Sequence, residues 1–520
     1  MSPRRRTALA AAALVAGLAA AVALAAAGGL LAGRPEGIPD APPGTASIAD
    51  ATAFEPLALC EVSEEELLER ARDGFSHPLY ALSPGGAPAS AARTARFRAP
   101  LEAAAGRHGI GPDTLEALVM LESAGRPDVA AGDDPEGAVG LGQILPGTAT
   151  ALLGMRVDLE ASRRLSAAIE RARRRAERAR SARTRRAATR RAAALARRRR
   201  AVDKRYDPAR SLDGAARYLA IAERRFGRED LALASYHMGM GNLERTVETY
   251  VAPARPAPRV RDTVAAHDVS YVRLYFGSSP VDNARTYALL AGFGDDSRTY
   301  LFRLEAAREI MRLRRDDPAE LARRAGLHAL WPSGELVLRP PAETDRYSDA
   351  HALRAGYDEG ELVPLGRDPM RLGFTLDPAI GRLSLGRARG RPALYRGLRP
   401  EALAALLYLT KEVDRVAGRA GLRVTGAARD AAYGRHRASG EGAGEPAGPA
   451  SPHATGYSFD IARPYPSRQV ANAFAYALER LRALRVIDYA FRPGEVHVGV
   501  GPDTERLLPL QRALAPAPGD

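Results

Sequence analysis

Between about residues 95 and 325 the apolar residues recur at three- and four-residue spacing, with few β-branched runs. Helices packed on helices bury that pattern, and strands do not. One segment breaks it. Residues 163–205 hold 18 Arg and one Lys against three acids. Their only apolar stripe is alanine (Ala172, Ala176, Ala179), too thin for a core, so the segment reads as a protruding helix or helical hairpin inserted into the domain. The whole chain carries a formal charge of +14. The insert accounts for all of it and the remainder is close to neutral. Such a charge invites a nucleic-acid reading, but its distribution argues otherwise. Here one segment is basic, and the protein is not.

The N-terminus narrows the compartment. Arg4, Arg5 and Arg6 precede an apolar run over residues 7–33. About 20 apolar residues span a bilayer, and leading positive charge keeps the N-terminus in the cytoplasm. The run reads as a signal-anchor, or as a cleaved signal peptide with Ala-x-Ala sites around Ala25 to Ala27. Either way the rest of the chain is exported, to the outer face of the membrane or beyond, and nucleic acid is not its partner. Cys60 is the only cysteine, so neither an intrachain disulfide nor a Cys-based metal site can form. Residues 34–94 read as a linker holding one acidic helical piece over 61–72. Residues 326–395 are Pro- and Gly-interrupted and read as a connecting region. Residues 396–505 alternate amphipathic helices (397–419, 467–484) with strand-like runs "LRVTGAA", "GYSFDIA" and "EVHVGVG", as a small α/β domain does. Residues 506–520 read as a frayed tail.

Two constellations carry chemistry. Asp113 and Glu116 form a capping-box pattern that starts a helix near Thr114. Leu115, Leu118, Val119 and Glu122 then share one face. A carboxyl on an apolar face needs either a partner or a task, and a desolvated, protonated carboxyl is what a general acid requires. Around it, in order, stand "LESAGRP", "GAVGLGQILPGTA", "YDPARSLDGAARYL" and "LALASYHMGMGN". This set resembles the four signature blocks of the soluble lytic transglycosylases, peptidoglycan-cleaving enzymes of lysozyme-like fold. The resemblance implies that Glu122 is the single acid/base, with Ser123, Gln143 and Tyr236 lining the substrate cleft and no cofactor. Gly137, Gly140 and Gly142 meet backbone requirements. Ordinary glycosidases use two carboxylates. The resemblance implies one, which protonates the glycosidic oxygen and then deprotonates the muramoyl 6-hydroxyl to give a 1,6-anhydro product. The chain departs from the pattern in three ways. His237 stands where the family has asparagine. The gap after Glu122 is long and holds Asp133 and Asp134, either of which could make the enzyme a hydrolase. The third departure is the Arg-rich insert, which reads as a solvated hairpin or as a grip on anionic wall polymer or lipid headgroups.

The second constellation is His453 and Asp460, seven apart in "SPHATGYSFDIA", with His497 in "EVHVGVG". Two histidines and an aspartate can hold zinc and leave a fourth position open. Ser451, His453, Gly456, Ser458 and Asp460 resemble the metal block of the zinc D-Ala-D-Ala carboxypeptidase and L,D-endopeptidase-like group. "VTGAARDAAY" resembles its upstream block, which implies that Arg429 holds a substrate carboxylate or carbonyl. Glu495 lies two before His497, whereas many members of that group place an acid three before. Residues two apart on a strand share a face, so Glu495 is either the catalytic base or an edge charge.

The expectation is therefore a multidomain chain. An all-α lysozyme-like domain with a helical Arg-rich insert precedes a small α/β metallopeptidase-like domain, behind an N-terminal transmembrane or signal helix. As a membrane-tethered peptidoglycan lytic transglycosylase it would carry a zinc-dependent stem-peptide peptidase as well. The alternatives are a single-activity glycan enzyme whose C-terminal domain only binds wall peptide, and a non-catalytic wall-binding scaffold.

Overall fold

The structure is a computed structural model that describes residues 46–133, 135–252, 259–340, 342–366, 369–381, 392–433 and 451–515, with only the backbone of Asp133. The apolar run over 7–33 lies outside the described residues, as does Asp134. No helix among the described residues is long and apolar enough to cross a membrane.

The stretch expected as a linker is folded from residue 46 onward. Helix α1 (Glu64–Gly74) starts at Ser63, whose hydroxyl accepts from the Glu66 N–H, and α2 (Ala87–Ala95) follows. Phe54, Leu67, Ala87 and Ala91 are fully buried. Short apolar turns between polar loops carry no periodicity long enough to read, yet each finds a pocket on a distant helix. The helical body continues with α3 (Arg98–His108) and α4 (Pro112–Ser123). Helix α4 begins two residues before the expected start. Pro112 sits in its first turn and Gly111 is its N-cap, because proline's fixed φ suits that position. Asp113 and Glu116 are therefore not a capping box; they pair with Arg98 and Arg315 instead.

The insert is an antiparallel hairpin, α5 (Leu159–Glu177) and α6 (Ala182–Val202). Ala188, Ala192 and Ala196 on α6 are buried, at the four-residue spacing of one helix face, and Ala172 and Ile169 on α5 are buried too. Alanine against alanine lets two Arg-studded helices approach closely and leaves most of their guanidinium groups at the rim; Arg199, at the base of α6, is buried. The expected boundaries need correction. Arg205 is not part of the arginine surface. It is fully buried, ion-paired to Asp203 at 2.8 Å, and donates to the carbonyls of Pro135, Gly137 and Ile144.

Helices α7 (Pro208–Phe226) and α8 (Glu229–Met238) carry the third and fourth blocks, and α9 (Tyr300–Asp316) packs across α4. The connecting region is folded as well. It holds the one-turn helix α10 (Glu335–Leu338), the two-residue strand β1 (Val363–Pro364) and β2 (Phe374–Leu376). Strand β3 (Gly397–Leu398) pairs with β1. Helix α11 (Pro400–Ala417) leads to β4 (Leu422–Gly426), β5 (Ser458–Ala462), α12 (Arg468–Ala483), and the hairpin β6 (Ile487–Arg492) and β7 (Glu495–Val500). The sheet order is β2-β4-β5-β7-β6, with only β2 and β4 parallel. The tail is not frayed up to residue 515. Helix α13 (Leu508–Leu514) buries Leu510 and Leu514 against α11.

The two parts share one continuous apolar cluster from Ala46 to Leu514. Polar contacts cross it: Arg70 donates to the Leu484 carbonyl at 3.1 Å, and Arg480 to those of Tyr275 and Ser278 at 3.0 and 2.7 Å.

Candidate functional sites

Glu122 ends α4 on a half-buried turn. Protein packs round its carboxyl, and loss of solvation pushes its pKa to about 7, against a lowering by the Tyr300 hydroxyl and the Arg303 charge. Tyr300, the first residue of α9, donates to Glu122 Oε1 at 2.6 Å. Its ring stacks with Tyr236, centroids 6.5 Å apart, and His237 tilts against it at 5.2 Å. Tyr236 donates to the Gly142 carbonyl at 2.7 Å. Burial, together with the Glu122 charge, raises both phenols well above their ordinary pKa, so they remain donors. Among the described residues, no second carboxylate contributes to the field at Glu122.

The expected neighbours separate. Tyr236 stands beside the acid, close enough for the Glu122 charge to act on its hydroxyl. Gln143 is half-buried and donates to the Gly140 carbonyl at 2.9 Å, from a left-handed backbone at φ +45. Ser123 does not join them. It is buried and returns its hydroxyl to the Val119 carbonyl at 3.0 Å, because the residue after Glu122 turns inward on the helix. His237 is exposed and bonds Ser297 at 2.9 Å. Gly140 has φ +79, and a Cβ there would lie 2.0 Å from the Arg205 carbonyl oxygen, so only glycine lets this loop close on Arg205. Tyr300 is the residue the sequence reading missed. It stands in no block, and helical pattern alone does not distinguish it from other aromatic residues.

In the sheet, Asp460 on β5 faces His497 on β7 directly across the ladder. His453 comes from the turn Pro452–Thr455 just before β5. The ligand atoms of His453, Asp460 and His497 lie within 4.8 Å of one another, and all three residues are fully buried. The bonding pattern tests whether a cation suits them. His453 Nδ1 lies 2.9 Å from the Ala427 carbonyl, which can only accept, so Nδ1 carries a proton. In the neutral ring its Nε2 is then a lone pair aimed at Asp460, 3.2 Å away, acceptor against acceptor. His497 Nε2 meets Glu335 at 2.8 Å while Nδ1 meets Asp460 at 2.9 Å. Burial alone would lower its pKa, yet the Glu335 and Asp460 carboxylates outweigh that and hold it at about 9. A metal ion among the three would relieve that conflict and could take the place of the His497 Nδ1 proton: each ring would turn a lone pair inward and its N–H outward, to Ala427 and Glu335. That outward hydrogen bond is the usual support of a metal-binding histidine. The donor set fits zinc.

Glu335, on α10, was not among the expected residues. Its pocket exists because Gly499 faces it; a Cβ there would lie 2.0 Å from Oε2. Arg429 joins the cluster but spends its guanidinium on Asp460 Oδ2 at 2.7 Å, rather than facing an open pocket. Glu495 shares the face of His497 two residues along and accepts from Thr425 at 3.1 Å.

Residues 185–255 match the family described as the transglycosylase SLT domain. The match includes Tyr236 and the third and fourth blocks; Glu122 lies before it. It supports a peptidoglycan lytic transglycosylase activity, with peptidoglycan as the substrate. The search of curated proteins found no match to the chain.

Proposed function

We propose that the chain cleaves the MurNAc–GlcNAc bond of peptidoglycan through Glu122, releasing 1,6-anhydro product, while the apolar run over 7–33 holds it at the membrane. The observation that carries this is the Glu122 carboxyl, enclosed by protein and bonded by the Tyr300 hydroxyl at 2.6 Å, with no second carboxylate acting on it among the described residues. At neutral pH a large fraction of Glu122 is protonated and can donate to the glycosidic oxygen as the C1–O bond breaks. The carboxylate left behind is steadied by the Tyr300 hydroxyl. It then takes the proton of the muramoyl 6-hydroxyl as that oxygen bonds C1. Glu122 ends protonated again, and no water enters. Tyr236 is held by Gly142 where its ring can line the glycan path.

The second part of the proposal concerns the α/β domain. His453, Asp460 and His497 would hold zinc, with Glu335 and the Ala427 carbonyl fixing the two rings. When bound, zinc would supply Lewis-acid polarisation to a peptide carbonyl, and Glu495 would be the nearby base. One observation favours a different reading of this domain. All three ligands are fully buried and Arg429 is already paired, which is the character of a closed, structural site. Mass spectrometry of digested peptidoglycan separates the readings. Anhydromuropeptides with intact stem peptides are expected from a single-activity enzyme, and cut stems that vanish on chelation from a peptidase. Reducing-end products would refute the single-carboxylate mechanism and point to Asp133 or Asp134.

A further inference from the structure

Hairpin helix α5 does not stand free of the body. Between it and the loop that leaves Glu122 runs a cleft of 1160 Å³, lined by eight arginines and two acids, Asp128 and Glu170. Both acids are already matched. Asp128 takes Arg199 at 3.1 Å, with Arg200 and Arg173 at 3.6 and 4.0 Å, and Glu170 takes Arg174 at 3.0 Å. Arg96 and Arg171 are exposed, and their side chains make no hydrogen bond or ion pair among the described residues. The walls are braced. Arg199 is buried across the Tyr206 ring, and Arg126 and Arg93 tie the loop after α4 through the carbonyls of Ser123 and Ala124.

A surplus of guanidinium groups across a two-walled cleft is an unfavourable field unless an anion fills it. Guanidinium presents paired donors that match phosphate oxygens. The shape selects further. A bilayer meets a convex or flat face, whereas a cleft with opposed charged walls accepts a strand. We propose that this cleft binds a linear, phosphate-bearing polymer lying along the glycan and delivers the attached strand to Glu122. The link to Glu122 rests on the glycan-cleaving reading; the binding does not. One wall of the cleft is residues 125–130, which follow α4 directly. The polymer therefore lies beside the segment that leaves the catalytic helix.

The test is a titration of the full chain with linear inorganic polyphosphate, for wild type and for the double variant R96E/R171E. These two side chains have no internal partner, so the fold does not depend on them. Replacing two attractions by two repulsions weakens binding by roughly tenfold at low salt, and the difference shrinks as salt is raised. Equal affinity of the two proteins, or a loss that high salt leaves untouched, overturns the proposal. So does a double variant that loses affinity for anionic phospholipid vesicles while holding polyphosphate as wild type does, because the arginines then serve a lipid surface. A chain that binds polyphosphate in this way but releases no anhydro product refutes the glycan reading alone.

Discussion

The Glu122 carboxyl should be a stored instability, and Glu122→Gln measures it. The unfolded chain ionises this side chain near its ordinary 4.5, whereas the folded protein holds it at about 7. The folded state therefore binds the proton more tightly. Below pH 4.5 the carboxyl is neutral in both states and its contribution is intact. As pH rises through 4.5 the unfolded chain gains by ionising, and stability drains until the folded carboxyl ionises near 7. The total loss is roughly 3 kcal/mol. Glutamine keeps the shape and one hydrogen-bond acceptor for Tyr300 but cannot ionise. The variant should match wild type within about 1 kcal/mol at pH 4 and exceed it by about 2–3 kcal/mol at pH 8, with no anhydromuropeptide release at either. Urea unfolding at a series of pH values reads this directly. A difference that stays flat from pH 4 to pH 8 would refute the desolvation argument, whatever happens to activity.

Three further outcomes follow from particular contacts. Tyr300→Phe removes a donor to the ionised form of Glu122, so the basic limb of the kcat/KM profile should move up by about 1–2 pH units; an unmoved limb would mean that the hydroxyl does not act through the carboxyl. If His453, Asp460 and His497 hold zinc as proposed, Glu335→Ala removes the partner of His497 and should weaken that binding by roughly 10- to 100-fold in a metal titration, with Gly499→Ala showing a similar loss by crowding Glu335 out. Arg205→Ala leaves Asp203 buried without its partner and should destabilise the helical domain by about 3–5 kcal/mol; a deletion confined to 167–198, which spares Arg205, should leave the melting temperature within a few degrees.

The helical body, the hairpin and the sheet strands were legible because each rests on a short-range period. Glu122 shows its place because Leu115, Leu118 and Val119 lie three to seven residues away on the same helix face. Alternation places Asp460 and His497 on strand-like runs and the resemblance to a metal block brings them together, while the register that sets them face to face comes from the sheet. The interval Leu422–Gly426 appears as a strand for the same reason. The same local logic failed where a residue's fate depended on a distant partner. Asp113 and Glu116 looked like a cap until Arg98 and Arg315 claimed them. Ser123 looked like a cleft residue until helix rotation buried it. Arg205 looked like one more surface arginine until its five donors met Asp203 and three carbonyls. Tyr300 stands 178 residues from the carboxyl it touches, and Glu335 stands 162 from His497. Hydrophobic periodicity is set by neighbours along the chain, so the sequence by itself determined the elements and their apolar faces. Which polar atoms meet, and at what solvation, depends on how those faces stack, and only the tertiary structure decided that Glu122 would titrate near 7 and that Glu335 would close over the histidines.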